Sequence, residues 1–140
     1  MEKPLNFLVD ADVLSEMTKP RPVAAVTDWL RDNDDQNAVS PIILGELEYG
    51  ILILPHGRRR TRLEQWFNDG VANLPVVDID AQTAQIWAAL TAELRKMGRD
   101  MPVKDSLIAA TARQHGLTIA TRNVDDYRYA GVPLINPFER

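Results

Sequence analysis

A short apolar run, Phe7-Leu8-Val9, is followed at once by two carboxylates spaced two apart, Asp10 and Asp12. No other stretch constrains the fold of this chain as strongly. An apolar run of this kind that ends in Asp reads as a buried strand delivering an acid to its carboxyl end. In an open α/β sheet that end borders the crevice where ligands bind, so Asp10 is expected in an active site. Both residues also have an architectural reading, with Asp10 shaping a turn and Asp12 capping a helix that starts at Val13. For Asp12 the architectural role is expected, and for Asp10 the functional one.

Helix and strand signals alternate through the rest of the chain. Val13 to Met17 reads as a helical turn stopped by Pro20 and Pro22, and Pro22 opens a helix over Val23 to Arg31 with Val23, Val26 and Leu30 at helical spacing. Ala38-Val39 is a short candidate strand. Ser40 and Pro41 then supply a cap and a first helical residue for a helix reaching Leu52, with Ile43, Leu47 and Ile51 as its apolar stripe. Glu46 flanks that stripe and is the half-buried acid, whereas Glu48 lies about 200° around the helix and faces water. A helix from Arg58 to Asn68 and a strand over Leu74-Pro75-Val76-Val77-Asp78 follow. The spacing Ala84, Trp87, Thr91, Leu94 predicts a long helix from Ala81 to Gly98. Pro102 opens the next helix and puts Asp105 in or near its first turn, where the helix dipole favours a carboxylate. Strands over Leu117-Thr118-Ile119-Ala120-Thr121 and Pro133-Leu134-Ile135 complete the chain. This order predicts an α/β fold, a three-layer sandwich with a mainly parallel central sheet, and one domain over residues 1–140.

Composition narrows the chemistry. The chain has no cysteine, which removes disulfides, thiol catalysis and thiolate metal sites and leaves oxygen donors and two histidines. Of those, His56 and His115 read as surface residues, and Trp29, Trp66 and Trp87 as core. No apolar stretch approaches the ~20 residues of a membrane span, and no secretory leader is recognisable, so a cytoplasmic protein is expected. A net charge of −4 makes the whole molecule no attractor of nucleic acid, but Arg58, Arg59, Arg60 and Arg62 form a local basic patch that could meet phosphates or a partner.

Asp10, Glu46, Asp105, and Asn123 or Asp126 after the strand ending at Thr121, all fall on the same edge of such a sheet. Two carboxylates about 4 Å apart repel by roughly 4 kcal/mol at an effective dielectric near 20, so three of them together call for a cation. All-oxygen donors favour Mg2+ or Mn2+, an ion that binds phosphate oxygens, activates water and stabilises an in-line phosphoryl transition state.

These segments resemble the PIN domain of the VapC or FitB type. The resemblance runs through Leu8-Val9-Asp10-Ala11-Asp12-Val13-Leu14-Ser15-Glu16, Gly45-Glu46-Leu47, the stretch from Pro102 to Ala112, Thr121-Arg122-Asn123 and Ile135-Asn136-Pro137-Phe138, in order over nearly the whole chain. It implies a magnesium-dependent ribonuclease, the toxin of a bacterial toxin–antitoxin pair. It also implies a homodimer and inhibition by a cognate antitoxin inserted into the active-site groove. Asp10, Glu46 and Asp105 match the three core acids, Asn123 matches a fourth position, and Asp126 lies close enough to assist. Ala11-Asp12 departs from the usual Thr-Asn, losing a hydroxyl next to the site and adding a negative charge. Two alternatives compete. One is a haloacid-dehalogenase-like phosphatase, with Asp10 as nucleophile and Asp12 as general acid. The other is an inactive PIN-like binding module.

Overall fold

The computed structural model describes residues 4–139. Four short strands, β1 (Phe7–Val9), β2 (Asn37–Ala38), β3 (Thr118–Ala120) and β4 (Leu134–Ile135), form one sheet in the order β2-β1-β3-β4. Every pairing is parallel, with Phe7 beside both Asn37 and Thr118, and Val9 beside Ala120. Leu8, Val9, Ile119 and Ala120 are wholly buried, as central strands covered by helices require.

Six α-helices join the strands: α1 (Ala11–Leu14), α2 (Ala24–Asp32), α3 (Pro41–Leu52), α4 (Arg58–Asp69), α5 (Ala81–Lys96) and α6 (Val103–His115). Local chemistry explains their ends. Ser40 Oγ accepts the Ile43 N–H and Pro41 opens α3. Asp80 and Thr83 close a reciprocal capping box on α5. Gly116 ends α6 in the left-handed region at φ 65°, where a side chain would be strained. Because α6 runs straight into β3 through that turn, its N-terminus lies back at the carboxyl end of the sheet. α5 and α6 pack together, and the Trp87 indole N–H donates to Ser106 Oγ at 2.8 Å.

Four expectations need correction. The first helix begins at Ala11, and its cap is Asp10, whose carboxylate accepts the Ala11 N–H; Asp12 sits within the first turn. Residues 74–78 do not form a strand, because Pro75 has no N–H to donate and only Val39 and Val76 pair there, in a single parallel bridge. On α5 the buried positions are Thr83, Leu90 and Leu94, with Trp87 half-buried, while Ala84 faces out. Val23 precedes α2 and is exposed, leaving Val26, Trp29 and Leu30 as the buried face.

Candidate active site

Strand pairing alone sets two site residues side by side. The Asp10 N–H donates to Ala120 O at 2.9 Å, so the chain leaving β1 stays against the end of β3 and puts Asp10 next to Thr121. Thr121 is wholly buried, and its hydroxyl donates to Asp10 Oδ2 at 2.9 Å, while Asp10 Oδ1 takes the Ala11 N–H at 2.9 Å. Both oxygens of Asp10 are thereby aimed. The hydroxyl on this acid therefore comes from residue 121, across the sheet, and not from the residue following Asp10.

A short 3-10 turn, Val124–Tyr127, follows β3 and carries Tyr127 into the core with 1% of its surface exposed. Its hydroxyl lies 3.5 Å from Asp10 Oδ2 and 3.4 Å from Asp105 Oδ1, so Asp10 and Asp105 face a common point. Glu46, half-buried on α3, feels the charges of both. The three acids expected to converge thus share one electrostatic neighbourhood at the carboxyl end of the sheet. Burial pushes Asp105 above the usual carboxylate range, Asp10 and Asp126 push further, and the Tyr127 hydroxyl and Lys104 oppose them. Glu46 is likewise raised by burial, with Lys104 opposing and Asp10 and Asp105 adding. Burial and the surrounding acids hold the Tyr127 phenol far above its ordinary value, so it is a hydrogen-bond donor at every relevant pH.

Asp12 is not simply a helix cap. Its Oδ2 accepts the Arg122 N–H at 3.1 Å and the Asn123 side-chain amide at 3.2 Å, tying the start of α1 to the loop after β3. Oδ1 of Asp12 is buried with no hydrogen-bond partner, and burial plus the charge of Asp10 raise its pKa to about 6. Asn123 donates through its amide nitrogen to Asp12, which leaves its carbonyl oxygen as the ligand atom it could offer a cation. Asp126 is exposed and reaches Asp105 only through its charge.

The basic patch divides. Arg60 is largely buried, paired with Glu64 at 2.8 Å and donating to the carbonyls of Leu52, the last residue of α3, and of Leu54 just after it, whereas Arg58, Arg59 and Arg62 are exposed. His56 and His115 are exposed, as expected, and stand apart from these contacts.

The donor set suits a hard divalent cation, being all oxygen and carrying one buried, unpartnered carboxylate oxygen in Asp12. The expected cluster is nevertheless not a finished cage. Among the described residues no three acidic or imidazole side chains are gathered closely enough to grip one ion. Sequence reasoning missed Thr121 as a partner of Asp10 and missed Tyr127 altogether. Thr121 stood within a recognised motif, whereas Tyr127 carried no signal beyond its place in the turn.

A family model described as the PIN domain matches residues 7–132. The chain belongs to the PIN-domain family. Among PIN-domain relatives, the VapC ribonuclease Y4jK of Sinorhizobium fredii is 34% identical over 95% of this chain and 98% of that protein. Toxin FitB of Neisseria gonorrhoeae is 30% identical over 94% of this chain and 98% of its own length. The crystal structure of FitAcB from the same organism superposes with a TM-score of 0.89 over 96% of this chain and 99% of that one. A toxin–antitoxin complex from Klebsiella pneumoniae matches with a TM-score of 0.73 at 26% identity, over 96% of this chain and all of that one. PIN-domain membership overturns the phosphatase alternative.

Proposed function

We propose that this chain is a divalent-metal-dependent endoribonuclease and the toxin of a toxin–antitoxin pair. The observation that carries the reading is the meeting of Asp10 and Asp105 at the Tyr127 hydroxyl, with Glu46 in their field. A ribonuclease and a toxin among its relatives support it. In this reading Asp10, Glu46 and Asp105 hold Mg2+ or Mn2+, and Asn123, Asp126 and Asp12 line the same edge. When bound there, such a cation would supply charge for the phosphate oxygens and would acidify water. Thr121 and the Ala11 N–H keep the Asp10 oxygens in a fixed direction, so little reorganisation is needed when the scissile phosphate arrives. No nucleophilic side chain is required.

The same reading takes the whole chain as a single PIN domain, dimeric, working in the cytoplasm, and held in check by a cognate antitoxin. No helix among the described residues is long and apolar enough to cross a membrane. Arg58, Arg59 and Arg62 are exposed basic groups suited to RNA or the antitoxin.

Incubation of the purified chain with total RNA, in Mg2+ or in EDTA, followed by sequencing of the new ends, tests the activity. Cleavage should require the cation and vanish in both Asp10→Asn and Asp105→Asn. Cleavage retained by both variants refutes the assignment, and a chain inert with every RNA would be the inactive binding module.

A further inference from the structure

We infer that Tyr127 is a positioning residue whose hydroxyl, lodged between Asp10 and Asp105, sets the spacing of these two carboxylates before a cation arrives. This rests on the metal-site reading above. Three observations carry it. The ring is almost completely buried at the end of the Val124–Tyr127 turn, so the hydroxyl cannot wander. Its distances to Asp10 Oδ2 and Asp105 Oδ1, 3.5 and 3.4 Å, are nearly equal and both long, so its single proton can turn to either acid and makes a tight bond to neither. The two acids also differ in what else they have. Asp10 is independently aimed by the Ala11 N–H and the Thr121 hydroxyl, whereas Asp105 takes no other side-chain hydrogen bond from the described residues. Tyr127 therefore acts chiefly on Asp105, drawing it toward an acid that is already fixed.

A ring needed only for packing could end at the para carbon, but a buried phenol normally satisfies its hydroxyl, and here the partners are the two acids themselves. The arrangement is the one found around metal ligands, where a second group fixes the ligand's direction and its removal weakens metal binding.

Tyr127→Phe keeps the ring and deletes the hydroxyl. Titration calorimetry of the full chain with Mn2+ and with Mg2+, without RNA, should show cation affinity falling about tenfold, while the melting temperature in EDTA stays that of the wild type. Affinity within about twofold of wild type overturns the role. If the variant melts lower in EDTA, the two affinities are compared at a temperature where both chains are fully folded, and a difference of about twofold or less there overturns the inference. Absence of cation binding by the wild-type chain overturns the metal reading and this role together, whereas equal binding by wild type and Tyr127→Phe overturns only the role.

Discussion

Replacing Asp12 by Asn should stabilise the protein in a pH-dependent way. The Asp12 carboxyl titrates at about 6 in the folded chain against 3.8 when free, because it is half-buried beside Asp10. A group whose folded pKa lies above its unfolded one favours folding while protonated. That contribution is complete below 3.8, drains away as pH rises toward about 6, and is absent above. At ~1.36 kcal/mol per unit, the two-unit difference would be about 3 kcal/mol for a fully buried acid, and solvent screening of a partly exposed one brings it to about 1–2 kcal/mol. Asn keeps an oxygen for the Arg122 and Asn123 N–H groups and removes the charge. Calorimetric melting in EDTA at neutral pH should therefore give Asp12→Asn a transition about 3–8 °C above wild type. Below pH 3.8 the two should melt together. A gain that is the same at both pH values, or a loss at neutral pH, would refute the electrostatic account and leave Asp12 as a structural clasp.

Three further outcomes follow from the acidic site and the basic patch. Asp105→Asn, melted in EDTA, should be at least as stable as wild type, because it removes repulsion from Asp10 and Asp126; between partly exposed groups this is worth no more than about 1 kcal/mol. Chemical denaturation in EDTA checks it, and a loss of stability means that the ionised acid is held by a contact that the amide cannot make. Arg60→Ala should lower stability by about 1–3 kcal/mol through the lost Glu64 pair and uncapped carbonyls, with no change in RNA affinity at permissive temperature. Joint replacement of Arg58, Arg59 and Arg62 by Ala should do the reverse, weakening RNA or antitoxin binding at constant stability. Equal loss of RNA affinity in the two variants would show that the patch acts as a unit.

Much of this molecule is written in local chemistry. Ser40 and Pro41 start a helix, Gly116 ends one, and the spacing of Ile43, Leu47 and Ile51 buries one face of α3, because caps, turns and periodicity depend on neighbours within a few residues. The acids Asp10, Glu46 and Asp105 could be singled out from strand ends, a helix flank and a helix start for the same reason. What surrounds them could not. Thr121 meets Asp10 across 111 positions, Tyr127 meets it across 117, and Asn123 meets Asp12 across 111. Such hydrogen bonds exist only after parallel pairing has laid β3 along β1, and a shift of one residue in that register would turn these side chains to the other face. Neighbouring residues alone single out the groups able to do the chemistry and roughly where the chain bends around them. Tertiary structure alone decided which hydroxyl aims Asp10, what occupies the Asn123 amide, and that the acids stop short of a closed cage, because those outcomes depend on charge and distance between segments far apart along the chain.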